Sequence, residues 1–221
     1  MMKLVIFDLD GTLADTILDL SGSVQVSLKK RGLPCHSIPE YKLMVGNGFS
    51  ALVQRALPPE LRGTPLQEEI RAEATAYYAL HPLDATAPYP GIEALLAGLD
   101  ARGIRKAVVS NKPHKLAIAV VEGLFPGALF IDIRGEKPEF PRKPDPTCVL
   151  DLAATAGVGP EETLYVGDSN VDVATAHNAH MKVAGAAWGF RGEEELRAAG
   201  ADYIAQNPEE VLAILDGFKV E

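Results

Sequence analysis

Four polar clusters in this 221-residue chain carry the residue types needed to handle a phosphoryl group. The first is Asp8-Leu9-Asp10-Gly11-Thr12, which directly follows the apolar run at 3–7. Alternation along an extended chain puts Asp8 and Asp10 on one side. Two carboxylates that close repel each other, and one resists ionisation unless a cation lies between them. A hard divalent ion such as Mg²⁺ meets that need, because it takes oxygen ligands. Gly11 lets the backbone approach a phosphate closely. A turn bearing two surface acids has the same composition, so the pentapeptide alone does not decide.

The second cluster is Ser110-Asn111-Lys112, expected directly after a strand that ends with KAVV. A hydroxyl, an amide and an ammonium there can grip phosphate oxygens. A helix starting at Pro113 and His114 would add partial positive charge from its N-terminus. The third is Lys143, placed just before a helix that starts near Pro146. It is preferred over Lys137, which lies in a Pro- and charge-rich loop where a solvated lysine is expected. The fourth is Gly167-Asp168-Ser169-Asn170-Val171-Asp172, following TLYV. Asp168 offers a third carboxylate to a metal. Asp172, one helical turn on, could orient it or a metal-bound water. An N-cap on a helix over 171–179 explains the same residues without any ligand.

The elements that position these clusters can be read from periodicity. Short apolar runs rich in β-branched residues at 3–7, 105–109, 129–133, 163–166 and 181–186 suit buried parallel strands. Helical spacing alternates with them at 92–101, 116–124 and 147–156, the first and last followed by Gly103 and Gly157. This rhythm predicts an α/β fold: a doubly wound, mostly parallel, Rossmann-like sheet with helices on both faces. In such sheets ligands bind beyond the carboxyl ends of the strands, where all four clusters are expected. Residues 15–83 break the rhythm with helix-like segments at 16–31, 39–45, 49–57 and 66–80. They read as a small α-helical cap domain inserted in a core of residues 1–14 and 84–221. The Gly46-Asn47-Gly48 turn of this insert offers backbone N–H groups and the Asn47 amide to the polar end of a small substrate.

Bulk properties narrow the partners. A formal net charge of −9 disfavours nucleic acid and anionic membranes. Any phosphate site must therefore be locally positive. No apolar run is long enough to cross a bilayer. Cys35 and Cys148 lack metal-ligand spacing and read as free thiols, so the expected location is cytoplasmic. His36, His81, His177 and His180 read as structural or solvated, His114 as a rim residue, and Trp188 and Tyr77-Tyr78 as packing residues.

The chain resembles the haloacid dehalogenase superfamily, whose four motifs occur in order as DLDGT, Ser110, Lys143 and GDSNVD. Within it the segments FDLDGTLADT, VGNGFSALVQRAL, SNK and RKPDP are similar to those of phosphoglycolate phosphatases. The resemblance implies Asp8 as nucleophile and Asp10 as general acid and base. It implies Mg²⁺ held by Asp8, the Asp10 carbonyl and Asp168, with Ser110 and Lys143 on the phosphoryl oxygens. It also implies that Thr12 orients Asp10 by a hydrogen bond. The residue types themselves make Gly11, Thr12, Asn47, Asn111 and Lys112 the expected substrate contacts, with a turn that merely joins two cap helices as the alternative for Asn47. The implied substrate is a small phosphorylated metabolite, 2-phosphoglycolate in particular, handled by a monomer or homodimer. A phosphomutase or pyrophosphatase of the same superfamily, or a non-catalytic binding module, are the alternatives. Asp10 counts against a dehalogenase. The stretch 135–142 departs from the superfamily's short acidic lead-in and leaves the substrate open.

Overall fold

The structure is a computed structural model, and it describes residues 1–218. The first strand, β1 (Leu4–Phe7), is buried along its whole length. Its side chains divide by alternation: Val5 and Phe7 join one apolar cluster, Leu4 and Ile6 another. Each such buried side chain contributes roughly 1.5–3 kcal/mol. β1 can be apolar throughout because helices cover both faces of the sheet.

Next comes a two-residue strand, β2 (Ala14–Asp15), and then four helices: α1 (Ile17–Lys29), α2 (Ile38–Met44), α3 (Gly48–Ala56) and α4 (Pro65–Leu80). The short β3 (Ala87–Pro88) pairs antiparallel with β2. The chain thus leaves and re-enters the α/β part at one doorway. The α/β alternation resumes with α5 (Ile92–Ala101), β4 (Arg105–Pro113), α6 (His114–Leu124), β5 (Phe130–Glu136) and α7 (Thr147–Thr155). It closes with β6 (Thr163–Gly167), α8 (Asn170–Asn178), β7 (Lys182–Ala186), α9 (Gly192–Ala198), β8 (Tyr203–Ala205) and α10 (Pro208–Asp216). The main sheet has the order β5-β4-β1-β6-β7-β8, and every pairing in it is parallel. Helices α5, α6 and α10 cover one face, and α7, α8 and α9 the other.

The doubly wound sheet and the helical insert agree with the sequence reading, and three details differ. β4 runs on to Pro113, so Ser110, Asn111 and Lys112 lie inside the strand rather than in a loop beyond it. A register shift against β5 between Val109 and Pro113 accompanies this extension, and β5 itself reaches Glu136. A sixth strand, β8, lies at the sheet edge, where two half-covered residues and the buried Ala205 give too short a pattern to read.

The four inserted helices surround their own core, which includes Leu28, Tyr41, Leu52, Ile70 and Tyr78. Two residues of the α/β part, Leu116 and Phe190, enter that core and fasten the helices down. Both cysteines are free, Cys35 exposed and Cys148 buried. Among the described residues no helix is long and apolar enough to cross a membrane.

Candidate active site

Parallel pairing of β1 with β4 and β6 brings three of the motifs to one edge. Asp8 continues β1, its N–H bonded to Val166 of β6 at 2.9 Å. Asp168 follows β6 directly. Asp8, Asp168 and Asp172 each place a carboxylate oxygen within 4.8 Å of the others, and all three are buried. Lys143 Nζ lies between them, 2.9 Å from Asp8 Oδ1 and 2.7 Å from Asp172 Oδ1. It also lies 3.1 Å from the Tyr165 hydroxyl, which rises from the sheet beneath.

Asp172 is fully committed. Its Oδ1 accepts from Lys143 and from the Tyr165 hydroxyl at 3.2 Å, and its Oδ2 accepts from the Ser169 N–H at 3.1 Å and hydroxyl at 2.6 Å. It therefore serves as the capping partner of Ser169 at the start of α8 and, at the same time, as the anchor of Lys143. Asp8 is the opposite case. Its contact with Lys143 lacks hydrogen-bond alignment, and Oδ1 is buried with no hydrogen-bond partner.

One ammonium does not balance three buried carboxylates. Burial pushes the Asp8 carboxyl up to about 7; Lys143 opposes this, while repulsion from Asp172 and Asp10 reinforces it. Asp168 is also raised by burial, with Asp172 and Asp8 adding repulsion. For Lys143, burial disfavours the charge, but Asp172 and Asp8 outweigh it and hold the ammonium protonated well beyond the ordinary range. A pocket of oxygen donors short of positive charge, with one carboxylate oxygen unsatisfied, fits a hard divalent cation.

Asp10 is set apart from this group. Its Oδ1 accepts from Thr16 Oγ1 at 2.7 Å and from Lys112 Nζ at 2.6 Å. Thr16, rather than the expected Thr12, is the orienting hydroxyl. The amides of Thr12, Leu13 and Ala14 all point back at the Leu9 carbonyl, so the chain turns tightly and carries Thr16 over Asp10. Thr12 Oγ1 is buried without a hydrogen-bond partner, and its carbonyl accepts from Trp188 Nε1 at 2.9 Å. Lys112 is buried beside Asp10, its ammonium 4.6 Å from the centre of the Tyr78 ring of α4. Burial works against that charge too, but Asp10 and Tyr78 outweigh it.

Gly11 is explained by a neighbour as well as by the loop. It has φ +89°, and a Cβ there would lie 2.3 Å from Asp168 Oδ2. The same Asp168 oxygen accepts from the Phe190 N–H at 2.7 Å, a donor with no sequence signal because it belongs to the backbone. Ser110 is buried, and its Oγ accepts from the Lys112 N–H at 3.2 Å. Asn111 turns its amide to backbone groups of residues 46 and 143. Asn47 does not line the cavity; its Oδ1 accepts from Arg55 Nη2 at 2.5 Å. Lys137 lies over the Phe140 ring, away from the site, whereas Lys143 lies within it. His114 Nδ1 accepts from the Gly135 N–H at 3.2 Å, a structural contact.

Asp8, Asp10, Ser110, Asn111 and Lys112 form one wall of a cavity of about 30 Å³, closed on the other side by Gly46, Gly48, Phe49 and other apolar residues.

Residues 5–186 match the family of haloacid dehalogenase-like hydrolases. The phosphoglycolate phosphatase of Rhodospirillum rubrum is 37% identical over 225 residues, covering 99% of this chain and 88% of its own length. That of Aquifex aeolicus is 31% identical over 220 residues and covers 100% of both chains. A solved structure from Lactobacillus delbrueckii subsp. bulgaricus, provisionally called a phosphoglycolate phosphatase, superposes with a TM-score of 0.91 at 31% identity, covering 96% of this chain and 98% of that one. With the acidic pocket, the lysine and the carboxyl-edge placement in hand, the chain belongs to the haloacid dehalogenase-like hydrolases and is a phosphatase similar to the phosphoglycolate phosphatases.

Proposed function

We propose that this phosphatase is a Mg²⁺-dependent phosphomonoesterase that carries the phosphoryl group on Asp8 and acts on a small acidic ester, 2-phosphoglycolate above all. The observation that carries this reading is the Asp8 carboxylate: buried, 2.9 Å from the Lys143 ammonium, and with no hydrogen-bond donor aligned on its Oδ1. Such a group is a nucleophile once its charge is balanced. Asp8, Asp168 and the Asp10 carbonyl would hold Mg²⁺, which when bound supplies the missing positive charge and Lewis acidity.

Asp8 attacks phosphorus, forming an O–P bond as the ester O–P bond breaks. Asp10 gives a proton to the leaving oxygen, and later takes one from the water that cleaves the aspartyl phosphate. Lys143 and Ser110 hold the phosphoryl oxygens and offset their charge. Thr16 and Lys112 fix the Asp10 carboxyl so that its proton meets the leaving oxygen.

The substrate class rests on the cover over the site. Gly46, Gly48 and Phe49 of the helical insert lie directly over the site and offer shape and backbone groups but no charged side chain for the base or phosphates of a nucleotide. The relatives at 31–37% identity that are named phosphoglycolate phosphatases point the same way. The test is hydrolysis of a panel of phosphomonoesters, with EDTA and then with Mg²⁺ restored. The expected result is a preference for 2-phosphoglycolate over nucleotides and phosphopeptides, abolished by EDTA and regained with Mg²⁺. Full activity after verified metal removal, or nucleotides as the best substrates, would overturn the reading.

A further inference from the structure

Asn111 is buried at the end of β4, next to Ser110, yet its amide serves the backbone of two other segments. Its Oδ1 accepts from the Lys143 N–H at 2.9 Å, and its Nδ2 donates to the Lys143 carbonyl at 3.2 Å. The same Nδ2 donates to the Gly46 carbonyl at 3.1 Å. An Asn amide has two N–H donors, and both are taken. One planar group therefore pins the main chain of the site lysine on one edge and the turn of the helical insert on the other.

Contact at this seam is tight. Gly48 has φ +83°, and a Cβ there would lie 3.2 Å from the Asn111 carbonyl. The turn is also held on its other flank, where Arg191 Nη2 donates to the Val45 carbonyl at 2.8 Å. The gap of about 30 Å³ under the turn is narrow for a phosphomonoester, and lifting residues 45–48 widens it for entry. Lifting breaks the bond to Gly46 and leaves the Asn111 amide held by the Lys143 backbone alone.

We propose that Asn111 is a positioning residue that couples seating of the turn at residues 45–48 to placement of Lys143. The proposal rests on the reading of Lys143 as the group that holds the phosphoryl oxygens. With the turn seated, Asn111 fixes the Lys143 backbone and its ammonium stays between Asp8 and Asp172. With the turn lifted, that restraint loosens, because the amide keeps only its two bonds to Lys143. Phosphoryl transfer then waits until the cover has excluded water. Asn111 touches no reacting atom in this scheme.

The experiment compares the full chain with Asn111→Ala and Asn111→Asp. Asp keeps an acceptor for the Lys143 N–H but has no donor for Gly46. Hydrolysis of p-nitrophenyl phosphate with Mg²⁺ is measured alongside hydrogen exchange of the free proteins, with melting temperature as the fold control. In both variants kcat should fall roughly 10- to 100-fold, the range seen when a supporting shell is removed, while KM changes by less than about threefold. Exchange at residues 45–48 and at 142–145 should rise together. Faster exchange at 45–48 with kcat within twofold of wild type would overturn the coupling. So would lower kcat with exchange at 45–48 unchanged, because Asn111 would then serve Lys143 alone. If Asn111→Ala does not fold, Asn111→Asp decides by the same criteria. If the wild-type chain hydrolyses no ester, the functional reading falls. Exchange at the two segments then decides the coupling: joint loosening supports it, and loosening of one segment alone overturns it.

Discussion

The two walls of the catalytic cavity are built from different materials. On one side stand Asp8, Asp10 and Lys112, backed by Lys143, Asp168 and Asp172, all charged and nearly all buried. On the other stand two glycines and apolar side chains from the helical insert, with the one amide of that turn tied to Arg55. The charged wall is the one proposed to perform the reaction, and its carboxylates repel one another. The covering wall supplies shape and backbone, and it carries little charge. Substitutions on the two sides should therefore differ in kind as well as in size.

The largest effect is expected on the charged wall. Asp8→Asn keeps the shape and removes the attacking charge, so kcat should fall by about 10⁴-fold or more, with the fold retained. An active Asp8→Asn protein would end the distinction between the walls.

Next in size is a pH effect on stability in metal-free protein. An aspartate in an unfolded chain titrates near 3.9, whereas burial raises Asp8 in the folded chain to about 7. A raised folded pKa gives stability that is complete below the unfolded value and lost as pH rises through the folded one. Metal-free wild type should therefore lose stability relative to Asp8→Asn between about pH 4 and pH 7, by a few kcal/mol at most. Mg²⁺ added above pH 7 should restore it. Parallel melting curves of the two proteins across that range would show that Asp8 is not penalised by burial.

The smallest effect belongs to the covering wall. Asn47→Ala loses one hydrogen bond to Arg55, worth about 1 kcal/mol. It should change kcat/KM by less than about tenfold, and equally for 2-phosphoglycolate and p-nitrophenyl phosphate. A larger loss confined to 2-phosphoglycolate would place Asn47 on the substrate and make the cover a chemical participant.

The same division explains what the sequence made legible. Asp8, Asp10 and Asp168 stood out because their motifs directly follow apolar strand-like runs, and the structure brings Asp8 and Asp168 together beside Lys143. The choice of Lys143 over Lys137 followed from its fixed place before α7. Thr16 was overlooked in favour of Thr12, because the orienting hydroxyl depends on how the turn after Gly11 folds back. The Phe190 N–H and the Gly46 carbonyl left no trace, since backbone groups have no residue type. Tyr165 looked like an ordinary strand residue until Lys143 was seen against its hydroxyl. β8 was missed because three residues at a sheet edge carry too little pattern.

The central claim is that the phosphoryl group rests on Asp8. Rapid quenching of a reaction with Mg²⁺ and p-nitrophenyl phosphate, followed by peptide mass spectrometry, tests it directly. The account predicts one phosphate on the Asp8 carboxyl in wild type and none in Asp8→Asn. Phosphate on another residue, or turnover with no phosphorylated peptide while a control aspartyl phosphate survives the quench, would contradict it.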